Sequence, residues 1–222
     1  LVDGRDTRDL ENGFVDWDYA WYLLRNPHFK GWTLDNLKWM FSLWPDGGHF
    51  CPLTWLTYAV DWSLWGMDPR GYHLTSLLLN AAAALTFHAA ALRLLAKAGA
   101  PRPEAAALFA ALFFAVHPLR VESVAWASER RDVLSGLFYM LTILFYAERR
   151  PRAAWACFAA CLLSKAMAMT LPAILVLLDI YPLGRLPADP RRWTGRSLRP
   201  VWAEKAAFLL PAVAVALVTF RL

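Results

Sequence analysis

From position 74 onward the chain alternates apolar blocks with short charged stretches. The blocks 74–95, 105–116, 133–147, 153–163, 166–180 and 206–220 predict helices, and the first has about the ~20 residues that a bilayer's hydrocarbon core requires. Lys165 and Pro172 interrupt 153–181, which is expected as two short passes, either a hairpin or a re-entrant pair, carrying Lys165 toward the extracytoplasmic side. Before position 74 there is no long apolar run, and eight of the twelve tryptophans lie there, a density that suits rings at headgroup level. Residues 33–41 (TLDNLKWMF) begin on a capping-type Thr33 and place Leu34, Leu37 and Phe41 on one face, predicting a short amphipathic helix along the bilayer. Residues 52–65 predict a second interfacial helix, and 45–48 and 68–71 read as turns. The expected fold class is therefore all-α. A polytopic transmembrane helical bundle (74–222) follows an extracytoplasmic, acidic, tryptophan-rich loop (1–73) bearing short interfacial helices.

Composition supports the membrane reading: 58% of residues are apolar, and mean hydropathy is +0.33. Three cysteines do not make a disulfide framework, and no signal-peptide pattern is visible. The chain begins at Leu1 without a Met and ends as an apolar run finishes, so a further membrane helix before it and more chain after it are expected. Residues 1–73 carry ten acidic and six basic side chains (−4), and 74–222 carry eight acidic and seventeen basic (+9). The basic excess sits in short loops, at Arg93, Lys97 and Arg102, at Arg149, Arg150 and Arg152, and from Arg185 to Arg199. That is the positive-inside pattern rather than a nucleic-acid surface. It puts 1–73 and 117–132 together on the extracytoplasmic side.

The stretch 117–132, HPLRVESVAWASERRD, concentrates the candidate chemistry. Arg120, Arg130 and Arg131 stand against Glu122, Glu129 and Asp132, a formal sum of zero between two apolar runs. Ionisable groups at the mouth of membrane segments are a functional hypothesis by default. On a continuous helix the spacings Glu122–Glu129 and Glu129–Asp132 would put the carboxylates on one face. A second acidic pair, Asp16 and Asp18, flanks Trp17 on the same side. Two such carboxylates can hold a metal or a sugar hydroxyl, or one can act as a general base toward an acceptor hydroxyl. Taken alone an Asp-x-Asp is weak and is more often a solvated turn; its force comes from facing 117–132. Arg130, Arg131 and Lys165 are candidate phosphate partners, with His117, Glu122, Glu129 and Asp132 beside them. His73 reads as a helix-start residue that could also hydrogen-bond a phosphate. No nucleotide-binding glycine loop, CxxC pair or GxSxG elbow occurs.

Five strings carry a family resemblance: FVDWDYAWYLLRNPHFKG, PLTWLTYAVD, GYHLTSLLLN, HPLRVESVAWASERRDVLS and LLSKAMAMTLPAILVLLDIYPLGR. In this order, from about residue 14 to 185, they resemble the membrane domain of the transmembrane and tetratricopeptide-repeat O-mannosyltransferases and their bacterial relatives, within the GT-C superfamily. The most specific string is HP-x-x-VESVAW-x-x-ER-x-DVLS. The resemblance implies a multi-spanning enzyme that takes a sugar, mannose or another hexose, from a polyprenyl-phosphate carrier. It implies transfer to a protein Ser/Thr hydroxyl on the extracytoplasmic face, and tetratricopeptide repeats beyond the membrane domain. Carried over by position, the catalytic carboxylate is Asp18, with Asp16 beside it. Two departures stand out: the family's adjacent aspartates become Asp18-Tyr19 here, and before PLTW an Arg or His is replaced by Cys51, with His49 two residues earlier. Metal dependence varies in the superfamily, so Glu122 and Glu129 either bind a divalent cation such as magnesium or manganese or only orient Arg130.

The Ala/Leu/Arg-rich composition fits a bacterial cytoplasmic membrane with the active face toward the periplasm. The competing class is a catalytically inactive membrane anchor for the repeat domain. A transporter fits less well, because the charges sit at one membrane face rather than at the midplane.

Overall fold

The computed structural model describes residues 23–42 and 50–221, with backbone only for 218–221. Asp16, Asp18, Tyr19, His49 and the turn expected at 45–48 lie outside the described residues. Among the described residues the chain is all helix, without strands, and forms a membrane helical bundle.

Helix α1 (Leu34–Met40) starts as expected, with the Thr33 hydroxyl accepting from the Asn36 amide at 3.2 Å. Helix α2 (Pro52–Trp65) starts on Cys51 with Pro52 in its first turn. The two helices and the chain before them enclose a core of their own. Leu23, Phe29, Met40, Trp55, Tyr58, Tyr72 and Ala127 are buried in it, and Trp39 and Trp62 pack against it. Trp39 meets Trp55 edge-on at 5.1 Å. Of the described tryptophans expected at headgroup level, Trp32 and Trp65 are exposed, while Trp39, Trp55 and Trp62 serve packing. Aromatic rings bury large areas and prefer edge-on contact, so a dense set of them can close a small core.

The stretch 68–71 is not a free turn but the start of α3 (Pro69–Lys97). Asp68 caps the helix by accepting from the Arg70 amide at 3.0 Å, and Pro69 fills the first position. Gly66 takes a left-handed φ of 59° to end α2, and its carbonyl accepts from the Tyr72 hydroxyl at 2.9 Å. Gly71 is required by contact, since a Cβ there would fall inside the Trp65 ring. Helix α3 has 29 residues, about 44 Å of rise, so it is longer than a hydrocarbon core of ~30 Å requires.

Helices α4 (Pro103–Val116), α5 (Val121–Ala125), α6 (Arg130–Ala147), α7 (Pro151–Ser164), α8 (Leu171–Ile180) and α9 (Arg199–Arg221) complete the bundle. Helix α3 packs on α4 and α6, α6 packs on α7, and α9 closes against α7, α8 and the Ala166–Thr170 turn. Helix α4 buries only Ala107 and Ala111, while Leu108, Phe109, Leu112, Phe113 and Val116 face outward. Small residues inside and large apolar ones outside is the pattern of a helix in lipid, where close backbone approach replaces the hydrophobic drive. Pro69–Lys97 and Arg196–Leu217 are long and apolar enough to cross a membrane. A third crossing arises if Pro103–Val116 and Pro118–Ala125, bent by 52°, count as one span. The other expected passes are present as helices, but shorter or more charged ones.

Two ion pairs fix which ends lie together. Arg93 of α3 meets Glu148 after α6 at 3.4 Å, and Arg185 bridges the Tyr146 hydroxyl of α6 (2.6 Å) to Glu204 of α9. All three basic clusters therefore occupy one end of the bundle. The 117–132 stretch and Lys165 occupy the other.

Candidate functional site

The 117–132 stretch is not one helix. His117 caps a 3-10 turn, Pro118–Arg120, its Nδ1 accepting from the Leu119 amide at 3.2 Å. Helix α5 follows and stops because Trp126 is extended (φ −90°, ψ 113°); a second 3-10 turn, Ala127–Glu129, leads into α6. The helical spacing argument for Glu122 and Glu129 therefore fails: the break at Trp126 separates them, and Glu122 stays exposed on α5. The spacing does hold from Glu129 to Asp132, which straddle the start of α6. Both reach Lys165, Asp132 in direct contact and Glu129 at 3.9 Å, and Glu129 also holds Arg131 at 2.6 Å.

Lys165 arrives there because α7 ends at Ser164 and the backbone turns extended at φ −159° before α8 returns. Helix α8 then runs back until Asp179 accepts from the Tyr146 hydroxyl at the far end (2.7 Å), so the two short helices lie side by side with Lys165 at their shared end. The break is clamped from outside, where the Thr54 hydroxyl of α2 donates to the Ser164 carbonyl at 3.1 Å.

Arg130 has a different place from the one expected of a phosphate partner. It is fully buried, 2.5 Å from Asp61, which is itself 1% exposed. Its Nη2 donates to the Tyr72 carbonyl at 2.8 Å and its Nε to the Ser76 hydroxyl at 3.3 Å. The rings of Tyr58 and Tyr72 cover it at 4.7 and 5.6 Å. No face is left for a ligand, so Arg130 positions the start of α6. Burial pushes the Asp61 carboxyl up from the usual range, against the pull of Arg130 and of the Thr75 hydroxyl that donates to it at 2.8 Å. Residues Thr54, Tyr58 and Asp61 form a polar stripe on α2, with the Tyr58 hydroxyl donating to the Ala127 carbonyl at 2.6 Å. The sequence reading missed Asp61, whose only signal was an acidic residue inside an apolar helix.

Beside the Lys165–Asp132 pair lies a cavity of about 270 Å³ lined by Phe114, Arg120, Asp132, Gly136, Tyr139 and Lys165, among others. Arg120 stacks over the Phe114 ring at 4.1 Å. Its Nε and Nη2 are shielded from solvent without a hydrogen-bond partner. A second cavity, about 240 Å³, lies on the other side of Arg120, beside His117 and Asn80. His73 is half-buried in the second turn of α3, next to the Tyr72 carbonyl that holds Arg130. Among the described residues no three His, Cys, Asp or Glu side chains approach closely enough to hold a metal ion, so Glu122 and Glu129 do not form a metal centre by themselves. Chemically, this end offers an anion two cations in a recess with apolar walls.

No family profile matches the chain, and no solved structure matches it. Curated relatives do. Protein O-mannosyl-transferase Tmtc1 of Drosophila melanogaster is 32% identical over 167 residues, 70% of this chain and 19% of that protein. Tmtc3 of the same organism is 29% identical over 163 residues, 61% of this chain and 18% of that protein. TMTC4 of Homo sapiens is 35% identical over 108 residues, 44% of this chain and 14% of that protein. The chain spans less than a fifth of the length of these relatives. With its helical membrane bundle, the chain is a relative of the TMTC protein O-mannosyl-transferases.

Proposed function

We propose that the chain is part of an integral-membrane glycosyltransferase that moves a hexose, mannose first among the candidates, from a polyprenyl-phosphate carrier to a protein Ser/Thr hydroxyl. The observation that carries this reading is the meeting of Glu129, Arg131 and Asp132, at the start of α6, with Lys165, at the break after α7, at the end of the bundle opposite all the basic clusters. The names of the relatives supply the reaction class. In the proposed step Asp18 takes the proton of the acceptor hydroxyl. The hydroxyl oxygen attacks the anomeric carbon while the bond from that carbon to the phosphate oxygen breaks. The lipid phosphate leaves with the bonding pair, and Arg131 and Lys165 stabilise its charge. Glu129 and Asp132 hold those two cations in place, and His117 and His73 are the remaining candidates for contacts to the donor. The active face is the extracytoplasmic one, periplasmic in a bacterium.

The test is transfer of radiolabelled sugar from polyprenyl-phosphate donors to a membrane-protein extract, by the full-length protein in liposomes. Wild type and Asp18→Asn run side by side, with and without chelator. Label transferred by wild type and lost in the mutant supports the reading. An active Asp18→Asn protein removes Asp18 as the base. The second reading, an inactive anchor, draws on Tyr19 and Cys51. Failure of the wild type to bind any lipid-linked sugar, with normal complementation in cells by the mutant, would favour it.

A further inference from the structure

The charged end of the bundle contains four cations close together, and three of them are already matched. Arg130 is held by Asp61, Arg131 by Glu129 and Lys165 by Asp132. Arg120 is the remainder, with only the longer-range attraction of Asp132 across the cavity. Its Nε and Nη2 form one edge of the guanidinium, the edge whose two parallel N–H groups fit two oxygens of a phosphate. Both atoms are out of solvent and unpartnered. A buried donor without an acceptor is unfavourable, and Arg120 lines the cavity, so its unpaired edge calls for an anion brought in there.

We infer that the cavity between α4, α6 and the Ala166–Thr170 turn is a phosphate-ester site, with Arg120 as its principal ligand. This deepens the proposed function and rests on it for the molecule that carries the phosphate, a polyprenyl phosphate. Three further features fit. Lys165 lines the cavity as a second cation, and Asp132, the one carboxylate of the lining, is engaged by Lys165, which leaves an excess of positive charge. Gly136 leaves the α6 wall open beside the guanidinium, where a Cβ would already stand 3.5 Å from Arg120 Nη2. Tyr139, Met140 and Met167 give the rest of the lining an apolar character suited to the first isoprene units. Arg120 also falls on an open position of the HP-x-x-VESVAW string, so the assignment belongs to this chain rather than to the shared motif.

The experiment is calorimetric titration of the full-length protein in detergent with farnesyl phosphate, inorganic phosphate and farnesol. Farnesyl phosphate is expected to bind in preference to farnesol. Arg120→Gln should weaken it by about 10- to 100-fold, the range for losing a charged hydrogen-bonded contact. Gly136→Val, which fills the cavity without removing charge, should weaken it similarly. Arg93→Gln, at the opposite end, should not. Equal response to inorganic phosphate and farnesyl phosphate would keep the anion site and reject the lipid as its carrier. Unchanged binding in folded Arg120→Gln, or no phosphate binding by wild type, overturns the inference. The two readings fail separately. Sugar transfer with an unchanged donor KM in Arg120→Gln removes only Arg120. Arg120-dependent binding without transfer from any donor removes only the enzyme.

Discussion

The two ends of the bundle are similarly rich in charge and differ in what is left over. At the end holding the basic loops, Asp179, Tyr146, Arg185, Glu204 and Lys205 form one closed network. Arg185 donates to Tyr146 at 2.6 Å and to Asp179 at 3.2 Å, Lys205 lies 2.6 Å from Asp179, and Glu204 caps Arg185. Each charge faces an opposite one across α6, α8 and α9. The other end has a similarly closed inner layer, Asp61 with Arg130, but outside it the cations face a cavity and Arg120 has two N–H groups to spare. Density of charge therefore does not separate a staple from a site. What separates them is whether the hydrogen-bonding capacity is spent within the protein.

That comparison can be broken or sharpened in four ways. Asp61→Leu should have the largest effect, about 3–5 kcal/mol, because it leaves Arg130 buried and unpaired. Thermal unfolding in detergent would read it, and Asp61→Leu with Arg130→Met should recover most of the loss. A single mutant as stable as wild type would remove the inner layer as a stability element. Asp179→Asn should come next, at about 2–4 kcal/mol by the same measurement, since Lys205 loses its charged partner and Arg185 keeps only Glu204. Gly71→Ala should lose about 1–3 kcal/mol by forcing the Trp65 ring aside, and Trp65→Ala in the same chain should restore the difference. Lys165→Gln should have the smallest effect on stability, about 1 kcal/mol, since solvent reaches the pair, with Lys165 24% and Asp132 30% exposed. The same mutant should raise the KM for a lipid-linked donor in the transfer assay. A Lys165→Gln protein with unchanged KM but a large loss of stability would turn the outer layer into another staple.

The helices were legible because their periodicity and caps are local. Thr33 starts α1, and the blocks from 105 to 180 became α4, α6, α7 and α8 with shifts of a few residues. Lys165 was legible too, since a lysine between two apolar runs has to reach a membrane face. The pairing inside 117–132 was not. Its formal sum of zero suggested internal balance, yet Arg130 is neutralised by Asp61, 69 residues away, and Asp132 by Lys165, 33 residues away. Those outside partners are why Glu122 is left to solvent and Arg120 to the cavity. The helical spacing of Glu122 and Glu129 failed for a related reason, because a period assumes an unbroken helix and Trp126 breaks it. Asp179 was hidden in an apolar run whose strongest signal is hydrophobicity. Asp16 and Asp18 lie outside the described residues and stand on the proposal alone.

Thr54, Tyr58 and Asp61 recur along α2 at intervals of four and three residues, so all three project from one side of it, and they fasten to Ser164, Ala127 and Arg130 respectively. A plate held by one bolt swivels, and a row of bolts along one side stops the swivel. Here α2 is held at both ends of a span of about 10 Å, with a third fastening between, and the anchors lie at the end of α7 and in the stretch that opens α6. The aromatic lobe built on α2 therefore rides with the membrane helices as a single rigid deck.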